Sequence, residues 1–173
     1  GRHLAAIRTA GLQVVTPTEN FTVNVPATDK PEDLGIQDVI FLSTTAYSLI
    51  VASEAMQPLI GPETTVVSAQ NGIPFWYFYG LGNNLEGYTL QTVDPGGKIA
   101  SAIGNHRVVG CVITSSNTVE APGVVRNLGN RVFALGEPDE THSRRLMEIA
   151  ALFENAGLLS PIGLDIRSEL WVK

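Results

Sequence analysis

The sequence predicts an α/β fold, a parallel sheet with an antiparallel extension along one edge. Three observations predict it. Two β-branched, apolar runs, Asp38–Ser43 (DVIFLS) and Thr64–Val67 (TTVV), read as strands. Between them Ala46–Leu59 carries an amphipathic helical pattern, and strand–helix–strand with short connections is the order of parallel neighbours. From Arg107 onward the pattern changes to short strands separated by Gly, Pro and Asn, which suits antiparallel pairing.

The elements follow in order. The chain opens on a helix, His3–Thr9, with Leu4, Ile7 and the alanines on one side and Gly11 at its C-terminal turn. Leu12–Thr16 and Phe21–Val25 are strands of a hairpin around Pro17-Thr18-Glu19-Asn20. Pro31–Leu34 is a short helical or turn segment leading into DVIFLS. The helix Ala46–Leu59 turns Leu49, Ile50, Ala52, Met56 and Leu59 inward, and Gly61-Pro62 closes it. Phe75–Tyr79 (FWYFY) is either a stacking surface for a ligand or packing under a loop or at a subunit contact. Gly80–Gly87 is a loop and Pro95–Ile103 a short helix. Arg107–Ser115, Gly123–Asn127 and Arg131–Leu135 are the antiparallel strands. In the helix Glu140–Ala156, the residues turned inward are Leu146, Ile149, Ala150, Leu152 and Phe153, and Gly157 ends it. Leu158–Ile162 is extended. Leu164–Lys173 opens a last helix, with Asp165 as N-cap and Trp171 on the buried side.

Composition sets the outer limits. At 173 residues the chain suits one domain with a piece of a second. Its 44% hydrophobic content supports a core, and 16% charged residues are too few for a disordered chain. The net charge is −6, and the lysines are Lys30, Lys98 and Lys173. No basic run interleaved with aromatics occurs, which argues against nucleic acid as a partner. An anionic cofactor remains compatible, because local arginines and helix N-termini bind phosphate whatever the total charge. Cys111 is the single cysteine and excludes an intrachain disulfide; within VVGCVI it reads as a packed core thiol. His3, His106 and His142 are scattered without ligand spacing, so no metal site is expected. No apolar stretch approaches the roughly 20 residues a bilayer crossing needs, and no signal peptide is visible. A reducing cytoplasm is the default expectation.

The candidate site lies where the two parallel strands end. TTVVSAQNGIP stops abruptly at Gln70-Asn71-Gly72, and DVIFLS stops at Thr44-Thr45. Ligands of open parallel sheets bind just beyond the carboxyl ends of the strands. An asparagine held there offers both a donor and an acceptor.

In order and wording, GRHLAAIRTAGL, DVIFLSTTAYSL, AQNG, APGVVRNLGNRVFALGEP and DIRSELWVK resemble the ketopantoate reductase family, the NADPH-dependent 2-dehydropantoate 2-reductases. AQNG followed far downstream by Ile-Arg-x-Glu-x-Trp-x-Lys is the specific part. The resemblance implies a partial Rossmann-like parallel sheet with an antiparallel edge extension, ending at the start of a helical second domain. Residues 1–160 would be an incomplete dinucleotide-binding domain, and 161–173 the start of a helical substrate and dimerisation domain. It also implies a fragment lacking a GxGxxG unit before Gly1 and helices after Lys173, with little activity alone. No glycine fingerprint lies in a strand-to-helix context here, since Gly80-Leu81-Gly82 precedes no helix. The implied cofactor is NADP. The implied substrate is a small 2-keto acid, 2-dehydropantoate first, reduced to pantoate in pantothenate biosynthesis. The implied partner is a second copy, through the helical domain.

The resemblance carries over residue by residue. Lys173 matches the catalytic lysine, which polarises the keto oxygen and delivers a proton; the plain alternative is a solvated lysine on a helix face. Asn71 matches the asparagine between nicotinamide and substrate, with Gly72 letting the backbone approach closely; a structural Asn-Gly turn is its alternative. Thr44 and Thr45 lie beside the cofactor. The family usually has lysine at Thr45, and a neutral hydroxyl forgoes a charge-assisted bond, a difference of about 1 kcal/mol or more. Arg2 reads as a surface arginine, although it lies near the family's reader of the 2′-phosphate. Glu120 reads as an exposed carboxylate, with a place beside the nicotinamide as the alternative. Two further readings stand beside this one: a nucleotide-binding relative without catalysis, and another dehydrogenase of opine or hydroxyacid type.

Overall fold

The computed structural model describes residues 1–173. Its elements run α1 (Arg2–Ala10), β1 (Leu12–Val15), β2 (Asn20–Val23), β3 (Val39–Leu42), α2 (Leu49–Ala55), β4 (Thr65–Ser68), α3 (Lys98–Ile103), β5 (Val108–Ala121), β6 (Val124–Gly136), α4 (Arg144–Asn155) and α5 (Ile166–Val172). The six strands form one sheet in the order β2-β1-β6-β5-β4-β3. β3, β4 and β5 are parallel neighbours, β6 runs antiparallel to β5, and the antiparallel β1–β2 hairpin joins β6 through β1. The expected antiparallel extension is therefore present beyond the parallel trio. β1 and β2 continue it, so that the outer strands are β2 and β3.

β4 is buried along its whole length, and the reason is alternation. Successive side chains point to opposite faces of a strand. Val66 and Val108 enter one core with Leu42, Leu49, Met56, Trp76, Ile99, Ile103 and Ile166, under α2, α3 and α5. Val67 and Val109 enter the other with Cys111, Leu135, Leu146, Ile149 and Ala150, under α4. A strand covered on both faces reads as a near-continuous apolar run. Here Val66 and Val67 fill the two faces, while the buried hydroxyls of Thr64 and Ser68 at its ends are hydrogen-bonded. Burial pushes the Cys111 thiol up to about 12, so it stays an inert core group.

Several elements depart from the sequence expectation. Arg107–Leu135 holds two long strands rather than three short ones. The run Asn127–Asn130, which reads as a break, is absorbed as a bulge: Ser115 faces Arg131 and Asn117 faces Asn127, leaving Leu128–Asn130 opposite Ser116. The helix expected over Ala46–Leu59 is split into a 3-10 turn at Ala46–Ser48, α2, and a second 3-10 turn at Gln57–Leu59 containing Pro58. Leu49 and Met56 are buried with Ser53, whose hydroxyl donates to the Ile50 carbonyl at 2.8 Å. α4 begins after its N-cap Ser143, later than Glu140, which sits at φ 62°. Leu152 faces solvent rather than the core. Leu146, Ile149, Ala150 and Phe153 already form the i, i+3, i+4, i+7 stripe, which leaves Leu152 on the far side.

The last helix begins where expected. The Asp165 side chain accepts from the Arg167 amide at 2.8 Å, and Ile166 is fully buried. Trp171, expected inward, is 70% exposed. Ile166 and Leu170, one turn apart, occupy the inner face, and Trp171 projects away from them. The FWYFY cluster is packing: Phe75 and Trp76 are core residues, and Tyr77, Phe78 and Tyr88 meet edge to face. Leu158–Ile162 is extended and bridges β6 at Val132–Leu159 and Leu135–Ile162. No helix is long and apolar enough to cross a membrane.

Candidate active site

A cleft of about 940 Å³ opens at the carboxyl ends of the parallel strands. Ser43, Thr44 and Thr45 reach it from the end of β3, and Ala69, Gln70 and Asn71 from the end of β4. Thr114–Asn117 line it from β5, Leu128 and Asn130 from the β6 bulge, and Lys173 from the end of α5. Three of the four expected binding positions, Thr44, Thr45 and Asn71, thus share one cavity with Lys173.

Asn71 and Lys173 are in contact. The lysine Nζ donates to Asn71 Oδ1, across 102 residues of sequence. That bond leaves the Asn71 amide nitrogen free to donate to a ligand. The turn carrying Asn71 is held from behind by buried polar groups. Trp76 Nε1 donates to Ser68 Oγ at 2.9 Å, Ser68 Oγ donates to Gln70 Oε1 at 2.7 Å, and Gln70 Nε2 donates to the Leu42 carbonyl. Gln70 therefore straps the end of β4 to the end of β3 and sets the spacing between Asn71 and the two threonines.

The threonines differ. Thr45 Oγ1 shares a hydrogen bond with Ser48 Oγ at 2.9 Å. Thr44 Oγ1 is buried in the cleft wall with no protein partner. A buried hydroxyl without a partner costs about 1–3 kcal/mol, so a ligand group that bonds it gains that much.

Gly72 does not line the main cleft. It lines an adjoining, more apolar cavity of about 470 Å³ that shares Ala46, Tyr47, Gln70 and Asn71 with it. Its φ of +91° is what requires glycine, and nothing lies within 4 Å of where a Cβ would stand. Arg2 and Glu120 do not line the cleft. Glu120 is paired with Arg126 on the outer hairpin and half exposed.

The residues that sequence reasoning missed are Gln70 and the β5–β6 wall. The signal for the wall was the polar run Thr114–Asn117 interrupting an apolar strand, together with Asn127–Asn130 opposite it. Asn127 Nδ2 gathers this wall, donating to Asn117 Oδ1 at 2.9 Å, Ser115 Oγ at 3.2 Å and the Asn130 carbonyl at 3.4 Å.

The group of donors and acceptors suits the nicotinamide and ribose end of a dinucleotide, with the unpartnered Thr44 hydroxyl as the observation that fits. The pyrophosphate end finds no partner in this chain. The Gly80 and Gly82 amides, the nearest thing to a glycine-rich anion site, already donate to the Glu86 carboxylate at 2.9 Å each.

A parallel α/β sheet with a polar cleft at its strand ends, and an Asn–Lys pair inside it, defines a nucleotide-cofactor type of fold and site. The comparisons narrow this. Residues 1–140 match the family described as ketopantoate reductase PanE/ApbA, and the chain belongs to that family. It is 44% identical over 173 residues to the 2-dehydropantoate 2-reductase of Mesorhizobium japonicum, covering all of this chain and 53% of that protein. A crystal structure from Ralstonia solanacearum, assigned to the ketopantoate reductases, superposes with a TM-score of 0.94 at 41% identity, over 99% of this chain and 53% of that one. The 2-dehydropantoate 2-reductase of Geobacter metallireducens superposes at 0.78 with 26% identity, over 99% and 50%. The chain spans about half the length of the curated relatives it matches.

Proposed function

We propose that this chain carries the cofactor half of an NADPH-dependent 2-keto acid reductase, with 2-dehydropantoate as the first substrate to consider. The observation that carries the reading is the Lys173–Asn71 pair inside the strand-end cleft. Residues 1–160 would then form an incomplete dinucleotide-binding domain and 161–173 the start of a helical domain for substrate binding and dimerisation.

In this reading NADPH supplies a hydride to the keto carbon. Lys173 is the cation that lines the cleft, and its ammonium polarises the keto oxygen and donates the proton that completes the alcohol. The lysine is solvent-exposed, so water returns the proton after each turnover. Asn71 holds the ammonium through Oδ1 and offers its amide N–H to the substrate or ribose. The Thr44 hydroxyl has no protein partner and becomes a donor for a carboxylate or ribose oxygen once its side chain turns toward the cleft.

A second substrate reading rests on Thr45. Its hydroxyl, engaged by Ser48, stands where the family usually has lysine and so offers a ligand a neutral group in place of a cation. The second reading is a relative acting on another 2-keto acid.

The test is a chimera in which this chain replaces the matching half of the Mesorhizobium japonicum reductase. It is expected to oxidise NADPH in the presence of 2-dehydropantoate, and faster than NADH. Lys173→Ala is expected to lower kcat by about 10²–10⁴-fold, the range for loss of a general acid. Undiminished turnover in that variant would remove Lys173 from the chemistry. Turnover with a branched or aromatic 2-keto acid but not with 2-dehydropantoate would select the second substrate reading.

A further inference from the structure

We propose that Arg167 is a positioning residue for Lys173: with Glu86, across the Tyr79–Gly80 peptide, it clamps α5 to the 77–87 loop and so holds the lysine amine on Asn71. The proposal rests on Lys173 acting as the general acid.

Arg167 is 5% exposed and forms no ion pair. Its guanidinium donates to three backbone carbonyls: Nε to Tyr77 at 2.8 Å, Nη1 to Pro138 at 2.6 Å, and Nη2 to Tyr79. A buried cation without a carboxylate is costly. It also stands in the first turn of α5, the end where the helix dipole opposes positive charge. The one group local to the helix that favours it is the N-cap carboxylate of Asp165, whose own pKa the Arg167 charge helps to lower.

A second carboxylate, on the 77–87 loop, is one peptide away. The Tyr79 carbonyl accepts from Arg167, and the Gly80 N–H of the same peptide group donates to Glu86 Oε1 at 2.9 Å. Cation, carbonyl, amide and carboxylate therefore form one chain in which each end of the peptide dipole meets the opposite charge. Such chains polarise and strengthen one another. The Gly82 and Gly80 amides hold the Glu86 carboxyl below its ordinary range, and the Arg167 charge adds to this.

The same loop grips the helix again near its other end. Trp171 Nε1 donates to the Tyr77 hydroxyl at 2.9 Å, and the Arg167 guanidinium lies over the Tyr77 ring at 5.8 Å. α5 has seven residues, too few to hold an orientation without tertiary anchors. Lys173 follows its last residue, about 9 Å along the axis from Arg167. A tilt of about 10° at the clamp would move the amine by more than 1 Å, and misplacement on that scale can cost about 10²-fold in rate.

Two variants test the clamp, Arg167→Lys, which cannot make the three-way fork, and Glu86→Gln, on an exposed loop. In the 173-residue chain, amide exchange in α5 is expected to speed up about tenfold or more for Arg167→Lys and several-fold for Glu86→Gln, with β4 amides unchanged. In the chimera, Arg167→Lys is expected to lower kcat about tenfold or more while KM for NADPH stays within about twofold. In a Lys173→Ala background the same change is expected to lower kcat no further, because its effect passes through the lysine. A merely structural arginine would lower the rate in both backgrounds, and that outcome overturns the proposal. Unchanged α5 exchange in both variants overturns it as well. If Lys173→Ala alone leaves turnover intact, the functional reading fails, and the exchange data still decide whether the clamp exists.

Discussion

On the β3–β4 wall of the cleft, the groups that face a ligand stand on a buried hydrogen-bonded line from Trp76 through Ser68 and Gln70 to Leu42. On the β5–β6 wall they stand on a half-exposed bulge tied together by Asn127, through Ser115, Asn117 and Asn130, and by a bond from Asn117 to Ser115. The first wall is continuous with the core, since Trp76 is 1% exposed and packs with Val66, Ile99 and Ile166. The second is built from its own polar side chains on arms that leave the core. A site that must hold two reactants in register and still admit different side chains gains from one rigid wall and one independent wall.

The contrast can be broken from either side. Trp76→Ala is expected to have the largest effect, about 3–5 kcal/mol of stability from lost packing, read by denaturant unfolding of the chain. A cost under about 1 kcal/mol would show that the β3–β4 wall is not carried by the core. Gln70→Ala comes next, at about 1–3 kcal/mol, because the Ser68 hydroxyl loses its acceptor and the Leu42 carbonyl keeps only the Ala69 amide. In the chimera it is expected to lower kcat, since the spacing of Asn71 from Thr44 is no longer fixed. Asn127→Ala is expected to cost only about 1 kcal/mol and to change KM for the keto acid while leaving KM for NADPH unaltered. Loss of both would mean that the two walls act as one unit.

The smallest effect is the pH dependence of α5. Glu86 is held below its ordinary value of 4.5 by the Gly82 and Gly80 amides. A carboxyl with a lowered folded-state pKa contributes stability above its unfolded value and loses it as pH falls through the folded one. Asp165, at the N-cap, shifts the same way: burial pulls it up, but the Ser168 hydroxyl and the Arg167 and Ser168 amides pull it further down. Exchange in α5 is therefore expected to rise relative to β4 as pH drops below about 4.5, the ordinary Glu86 value. Parallel loss of protection in both elements would remove the separate role of the clamp.

Much of the parallel half could be read directly, and the reasons are local. The run of β-branched residues at Thr64–Val67 ends in a glycine turn, so β4 and the polar tip after it follow from period and punctuation. The same holds for the β1–β2 hairpin, the Asp165 cap and the packed Cys111. The hairpin wall could not be read this way. Leu128-Gly129-Asn130 has the composition of a turn, and only the cross-strand register of β5 with β6 converts it into a bulge facing the cleft. Trp171 and Leu152 show the same limit. An apolar residue in a helix is assigned inward by type, yet the i, i+4 pair Ile166 and Leu170 already fills the inner face of α5.

The sequence by itself determined the α/β class, the parallel strand–helix–strand unit and the polar strand ends at Thr44–Thr45 and Asn71, because period, branching and turn chemistry act within a few residues. The motif resemblance singled out Lys173, but no local rule brings its amine to an asparagine far upstream. That meeting depends on α5 packing through Ile166 over Gly110 of β5 and Gly136 of β6. It depends equally on Arg167 finding three carbonyls from two distant loops, and on Gln70 joining two strand ends. Tertiary structure decided those, because a buried donor takes whatever acceptor the packed chain places within reach, and which one that is cannot be stated until the sheet has closed.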